Sequence, residues 1–492
     1  MRPFEWLLAL VVAAIVWQWA RGRRAGVGLG AAGAVLAAAS ALIEGPRFVM
    51  GPAYLIGFVA LLQSLRRPGA PPVRAGFVKR GLRVLGALVA LVLGVGLPWL
   101  WPVPKLPTPT GPNAIGTAWL VVRDSSRRER VSATPGAVRE FPVKIWYPAA
   151  AGATGPRAEY AAPEAISLVA PLPFARQIRL VRTHAIVGAP VAEGRAPVVI
   201  FSHGYGGYAE QNTPQMEELA SRGYVVASIA HPGEAAWAPF PDGRGVRFDT
   251  GLTNAARRRL AENPNLAADP ARLMDSLARE LAVPDRTERL ANFRKFLEMS
   301  DEPLRSQSVN EWALDTKALV DLLGDLYAGH LKSPFMGKLD LDRLGVFGMS
   351  YGGATAGEFC RQDHRCRAAI NIDGGQYGGL IDDSLTVPLL IMGSEQAIAV
   401  HGPVLDLTRG PAFLARVPGT THMGLSDATL LSPNLFRWIG FTGKLDPDRR
   451  EAIMSDFIVG FFEKYLMRRS PELFDGLAKK YPDVTMTTRN LP

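Results

Sequence analysis

Four apolar stretches fill the first hundred residues and leave that part of the chain few folding options. Phe4 to Ala20 is apolar apart from Glu5 and Gln18, and Gly26 to Ile43 carries no charge. Phe48 to Leu65 is apolar apart from Gln63, and Leu82 to Trp101 apart from Arg83. Each is near the length a helix needs to cross about 30 Å of hydrocarbon. A cleaved signal peptide accounts for the first stretch alone; three more follow it, and no small-residue cleavage site follows Trp19. Arg21, Arg23 and Arg24 lie in the first loop, and Arg66, Arg67, Arg74, Lys79, Arg80 and Arg83 in or beside the third. The N-terminus offers only Arg2, and the second loop sets Arg47 against Glu44. Short-loop positive charge stays cytoplasmic, so four spans place both termini on the periplasmic or extracellular side of a cell membrane. Trp6, Trp17, Trp19, Trp99 and Trp101 stand near span ends, as interfacial anchors do.

A second feature constrains the rest. LGVFGMSYGGATA, Leu344 to Ala356, reads as a strand, a tight turn and the small-residue start of a helix. Gly348-Met349-Ser350-Tyr351-Gly352 is the G-x-S-x-G pattern of the nucleophile elbow in α/β-hydrolases. The turn drives the serine toward positive φ, and side chains at the flanking glycines, Gly348 and Gly352, would clash. Ser350 then stands clear of the sheet at the positive end of a helix.

A nucleophilic serine needs a base, an acid and an oxyanion hole. The chain has seven histidines, and only His364, His401 and His422 follow Ser350. His422, in a loop just after the apolar run Ala412 to Val417, suits the base. His364 sits in the polar run RQDHR and reads as solvated, and His401 is a weaker rival. Asp373, which ends the strand Ala368 to Ile372, and Glu395, after Val387 to Met392, are both strand-end carboxylates at the ligand-binding face of an open parallel sheet. One oxyanion N–H comes from Tyr351, the residue after the nucleophile. The apolar strand Pro197 to Phe201 runs into Ser202-His203-Gly204-Tyr205-Gly206-Gly207, where Gly204 loosens the backbone and Tyr205 N–H suits the second donor. His203 reads as a residue that holds this loop.

LPTPTGP, FPVKIWYP, VVIFSHGYGG, RGYVVASIAHPG, GMSYGGATA, NIDGG and THMG follow one another in this order. Over roughly Leu106 to Leu466 the chain thereby resembles the plasma-type platelet-activating factor acetylhydrolase family, serine α/β-hydrolases that include many bacterial carboxylic ester hydrolases. The resemblance implies Ser350 as nucleophile, His422 as base and Asp373 rather than Glu395 as acid, since that family carries its acid on the strand after the nucleophile helix. It implies the N–H groups of Tyr205 and Tyr351 as the oxyanion hole, and cleavage of short or oxidised acyl esters without a metal. The elbow here is GMSYG where the animal enzymes have His before the serine. Glu234 to His330 matches nothing in its middle, so the reaction type transfers and the substrate does not.

The expected fold is α/β: an α/β-hydrolase domain with a mostly parallel sheet and a helical cap insertion, behind an all-helical transmembrane region. Residues 1–101 form the membrane region, 102–116 a stiff Pro-rich linker, 117–467 the hydrolase with its cap at about 234–330, and 468–492 a tail. Ala118 to Val122 and Val143 to Trp146 are the opening strands, expected to be antiparallel. Asn254 to Asp285 and Arg286 to Met299 read as cap helices, and Trp312 to Tyr327 as an amphipathic helix returning to the sheet. A hydrophobic content of 48% and a mean hydropathy of +0.08 exceed what a soluble enzyme needs. Net charge is +10, part of it in membrane-flanking loops and the densest remainder at Arg257, Arg258 and Arg259. No basic stripe on a nucleic-acid-binding fold accompanies it, so anionic lipid headgroups are the more economical partner. Cys360 and Cys366 make no metal site by themselves. Outside the cytoplasm they can form a disulfide; the alternative is two small buried hydrophobes. No cofactor is implied. The chain reads as a membrane-anchored serine esterase acting on amphiphilic or lipid-like esters at the bilayer. The alternatives are a dienelactone-hydrolase-like or peptidase-like enzyme, or a non-catalytic binding module on the same fold.

Overall fold

The computed structural model describes residues 1–66, 76–130, 136–168, 170, 172–251, 254, 279–281, 283–299, 302–395 and 398–491. Most of the helix expected over Asn254 to Asp285, the arginines 257–259 and most of the third membrane loop lie outside these residues. The chain divides into two compact units.

The first unit is Met1–Lys105 with Val169–Val181 and Leu430–Gly440. Its helices are α1 (Pro3–Ala20), α2 (Val27–Ala39, extended over Ser40–Glu44), α3 (Gly51–Leu65) and α4 (Phe77–Leu91, continued over Val92–Gly96 and Leu97–Leu100). All four helical runs are long and apolar enough to cross a membrane. Gly33 of α2 lies against Gly57 of α3, where a Cβ on either would strike the other's backbone. Small residues of this kind let apolar helices approach without a hydrophobic driving force between them. Glu5, the charge that interrupts the first apolar stretch, is buried and bonded to Arg47 at 2.7 Å and Arg2 at 2.8 Å.

Two segments from far along the chain belong to this helical unit. Gln177 accepts from Arg47 Nε (3.0 Å) and donates to Pro102 O (2.8 Å). Ser432 Oγ donates to Leu100 O and Asn434 Nδ2 to Trp99 O, each at 2.7 Å. Trp101 meets Phe174 and Phe436 edge-on, both with ring centroids 5.6 Å apart. The reason is local: the last carbonyls of a helix have no partner within it. At the end of α4, side chains from these two segments supply the donors.

The second unit is Leu106–Leu168, Arg182–Thr429 and Phe441–Pro492. Its strands are β1 (Ile115–Arg128), β2 (Val138–Pro148), β3 (Arg157–Glu159), β4 (Arg182–Val187), β5 (Ala196–Ser202), β6 (Val225–Ile229), β7 (Trp237–Pro239), β8 (Gly245–Arg247), β9 (Leu339–Met349), β10 (Cys366–Ile372), β11 (Leu389–Ser394), β12 (Ala412–Val417) and β13 (Thr485–Arg489). Among the described residues, all but the β7–β8 hairpin join one sheet, in the order β13-β12-β11-β10-β9-β5-β6-β2-β1-β4-β3. The run from β6 through β12 is parallel, and β1, β2 and β13 add antiparallel pairings at its sides.

The central strands read as unbroken apolar runs because both sheet faces are covered. Val198 and Ile200 of β5 pack into one core with α6 (Arg286–Met299), α7 (Glu302–Ala328) and α8 (Tyr351–Gln362). Val199 and Phe201 point the other way, into a core shared with α5 (Thr213–Ser221) and α9 (Pro447–Phe462). Successive side chains on a strand alternate between faces, so one five-residue run feeds both cores.

The second half of the linker is not free-standing: Thr110 N and Oγ1 donate to Glu218 at 2.7 and 2.6 Å, and Gly111 N to Ser221 Oγ at 3.0 Å, so it is fastened to the end of α5 before β1 begins at Ile115. The presumed tail contains β13, which pairs antiparallel with β12. Within the region taken as cap, α7 carries Val309, Trp312, Leu319, Val320 and Leu323, all fully buried, and is a layer of the core. Cys360 and Cys366, at the end of α8 and the start of β10, are joined as a disulfide.

Candidate active site

β9 delivers the chain to Ser350 at φ 56° and ψ −114°, outside the regions that L-residues favour. Such a backbone costs of the order of 1–3 kcal/mol and persists only where the surroundings over-determine it. Here the packing does so. A Cβ at Gly348 would strike the Gly352 backbone, and a Cβ at Gly352 would strike Ser202 O. The elbow is wedged between α8 and the end of β5, and Gly352 N donates to His203 O at 3.1 Å.

β10 ends at Asp373, which also has positive φ, 56°. Asn371 clamps the turn beyond it: its Oδ1 accepts from Gly374 N at 2.6 Å and its Nδ2 donates to Gly374 O at 3.1 Å. The Asp373 carboxylate is buried and accepts three hydrogen bonds. Ser394 N reaches Oδ1 at 2.7 Å, Ser394 Oγ reaches Oδ2 at 2.8 Å, and His422 Nδ1 reaches Oδ2 at 2.8 Å. Burial alone would raise its pKa. The His422 hydrogen bond, the nearby His401 and His422 rings and the Ser394 amide outweigh burial and hold it below the usual value. Since the carboxylate can only accept, His422 carries its proton on Nδ1 and turns the Nε2 lone pair to Ser350 Oγ, 3.0 Å away. The turn His422–Leu425 that presents this ring is capped by Thr421, whose Oγ1 accepts from Gly424 N.

The structure therefore brings Ser350, His422 and Asp373 into one hydrogen-bonded line. Of the rivals, Glu395 lies outside that line and accepts from Gly419 N at 3.0 Å, holding the approach to the His422 loop. His401 is buried with Nε2 at 3.8 Å from Asp373 Oδ1, whereas His422 bonds the other oxygen, Oδ2. His364 is exposed. Ser394 and Asn371 escaped the sequence reading. Ser394 stands directly before Glu395, and its place at the end of an apolar strand was the available signal.

The loop after β5 passes beside the serine: a Cβ on Gly204 would lie 3.4 Å from Ser350 Cβ. Gly204 N donates to Gln211 Oε1 at 2.9 Å, and Gly206 N to Glu234 O at 2.8 Å. The rings of Tyr205 and Tyr351 are 5.1 Å apart, with Phe248 5.2 Å from Tyr205 and Tyr377 5.8 Å from Tyr351, an aromatic wall beside the elbow. Tyr351 N–H begins α8, where a helix amide has no acceptor within its own helix. Among the described residues, no three His, Cys, Asp or Glu side chains gather as metal ligands would.

The chain is similar to known ester hydrolases. Residues 104–242 match the family model for platelet-activating factor acetylhydrolase, isoform II. The chain is 22% identical over 291 residues to the platelet-activating factor acetylhydrolase of Gallus gallus, covering 57% of this chain and 65% of the relative. It is 22% identical over 298 residues to that of Cavia porcellus, covering 58% of this chain and 61% of the relative. The chain thus spans just under two thirds of these relatives' own length. A ferulic acid esterase from Streptomyces cinnamoneus superposes with a TM-score of 0.59 at 25% identity, covering 78% of this chain and 100% of the other. Elbow, strand order and matched stretches converge on the α/β-hydrolase fold, with residues 104–242 similar to the platelet-activating factor acetylhydrolase family.

Proposed function

We propose that this protein is a membrane-anchored, metal-independent serine hydrolase of carboxylic esters that works through an acyl-enzyme. The observation that carries the reading is the unbroken line Asp373–His422–Ser350, ending on a serine held at positive φ. Ser350 Oγ attacks the ester carbonyl as His422 Nε2 takes its proton. Asp373 keeps the imidazole in the needed tautomer and stabilises its charged form. The carbonyl oxygen, now negative, receives the N–H groups of Tyr205 and Tyr351; one such donor is worth about 10²–10³ in rate. His422 returns the proton to the leaving alcohol, and water then releases the acyl group by the same steps.

Relatives named for a platelet-activating factor acetyl ester and for ferulic acid support an ester substrate, and the aromatic wall supports an apolar or aryl group beside the bond. Short-chain or lipid-like acyl esters fit both. A chain-length series of p-nitrophenyl esters on the purified protein, with Ser350→Ala as blank, tests the reading. Turnover and fluorophosphonate labelling should both vanish in the variant, and retention of either would overturn it.

The four N-terminal helices support anchoring in a bilayer, with the basic loops inside and the hydrolase on the periplasmic or extracellular side. The bonded Cys360–Cys366 pair suits an oxidising compartment. Alkaline phosphatase fused after Pro112 should be active and green fluorescent protein dark; the reverse pattern places the catalytic unit in the cytoplasm.

A further inference from the structure

Beneath the loop between β5 and Gly207 lies a second set of the same three residue types. Ser202 Oγ is 3.1 Å from His231 Nε2, and His231 Nδ1 is 2.9 Å from Asp315 Oδ2. All three are fully buried, so no substrate reaches them. Asp315 is held by Arg139, with Nη2 at 2.6 Å and Nε at 3.1 Å, and by Arg127 Nη2 at 2.7 Å. Trp312 stacks flat on the His231 ring, 3.9 Å away at 7°. Its Nε1 donates to Glu234 Oε2 at 2.8 Å, and Glu234 O accepts from Gly206 N in the loop above.

The protons in this set are fixed by elimination. Asp315 only accepts, so His231 has its proton on Nδ1 and accepts a hydrogen bond from the Ser202 hydroxyl at Nε2. The His231 backbone N–H donates to His203 Nε2 at 3.2 Å. That nitrogen is then an acceptor, and His203 must carry its proton on Nδ1, 2.7 Å from Gly204 O. Burial, with His231 beside it, pushes the His203 pKa down to about 3, so the ring stays neutral and keeps this single tautomer. A trans peptide points its C=O and the next N–H in opposite directions. Gly204 O also accepts from Gly207 N at 2.7 Å, and with the His203 ring as its second donor it is held so that Tyr205 N–H points the other way.

We propose that His203, backed by the buried Ser202–His231–Asp315 set, is a positioning residue that aims Tyr205 N–H at the developing oxyanion. The proposal rests on the active-site reading above, and Ser350→Ala tests that reading separately. His203 never touches substrate. Its loss should weaken binding of the transition state and spare the ground state.

The test uses the full-length protein in detergent, with the number of folded sites counted by the end-point of fluorophosphonate labelling. Per site, His203→Ala should lower kcat on p-nitrophenyl acetate about 10²-fold, the loss typical of one oxyanion donor, with KM within about threefold. Affinity for a trifluoromethyl ketone, which makes a tetrahedral adduct at the serine, should fall by the same factor as kcat. His203→Asn, whose Nδ2 can stand where the ring Nδ1 stood, should recover about tenfold. If His203→Ala does not fold, Ser202→Ala carries the test, with a five- to tenfold loss expected in both kcat and ketone affinity by the same reasoning. Unchanged kcat and ketone affinity per labelled site would overturn the proposal. So would a rise in KM that matches the fall in kcat, or a ketone affinity that does not follow kcat.

Discussion

Ser350–His422–Asp373 and Ser202–His231–Asp315 repeat one hydrogen-bond order at almost equal lengths, 3.0 and 2.8 Å in the first and 3.1 and 2.9 Å in the second. They differ in what surrounds them. Ser350 is lifted out of the sheet at φ 56° at the mouth of α8, whereas Ser202 is the last residue of the regular strand β5. The His422 side chain is 42% exposed, and that of His231 is 0%. Asp373 is satisfied by the neutral donors of Ser394, Asp315 by two guanidiniums. Three residue types in contact do not make a nucleophile. A partly exposed serine at positive φ and a ring open to substrate are what set the first apart. The buried set lacks both and has instead the charge pairing of a structural node.

The largest effect that separates the two sets comes from the same substitution made in each. Asp373→Asn should lower kcat by roughly 10³–10⁴, because the wrong tautomer of His422 then faces Ser350. Its unfolding midpoint should stay close to wild type. Asp315→Asn should do the reverse: removing the central carboxylate of a buried ion cluster costs about 3 kcal/mol, because Arg139 and Arg127 lose their most buried partner and keep Glu129, Asp124 and Glu311 at its edge. Its rate per labelled site should fall by no more than about tenfold, the part transmitted through His203. Steady-state kinetics and urea unfolding on both variants would decide. If Asp315→Asn abolishes turnover per folded site, the buried set is part of the reacting machinery and the contrast fails.

The two sets also differ in how visible they are in the chain. Ser350 is announced locally: the glycines at 348 and 352 are required by contacts that any elbow makes, so the motif travels with its geometry. The core strands are equally plain, because β5, β11 and the second half of β9, residues 344–349, are buried on both faces and almost wholly apolar. The buried node has no such signature. Asp315 lies 176 positions from Arg139 and 84 from His231, and nothing near any of them marks the others. The same is true of β13, a polar strand, TMTTR, whose only argument for being a strand is its partner β12. Ser432 and Asn434 likewise carry no local sign of the α4 carbonyls that they cap, more than 300 positions earlier in the chain. Local rules reveal what local geometry requires; pairings across the fold show only when the fold is present.

The smaller separation is in acid. Burial pushes the His231 pKa down to about 4 from an ordinary value near 6.5, although Asp315 pulls the other way. Between those values the unfolded chain binds the proton and the folded one does not. Stability from this group is therefore complete above about pH 6.5 and is lost as pH falls toward about 4. A shift of this size is worth about 3 kcal/mol. His203, lowered for the same reason, adds in the same direction. Wild type should thus lose stability across this window. His231→Gln, less stable at pH 7, should lose less of what remains, while Ser350→Ala should follow the wild-type slope. Urea unfolding midpoints at pH 7, 6, 5 and 4, read by tryptophan fluorescence, provide the measurement. Equal slopes in wild type and His231→Gln would mean that the buried ring is not held neutral by the fold. The fixed tautomer that aims His203 would then lose its physical basis, and the two Ser–His–Asp sets would be closer in kind than their surroundings suggest.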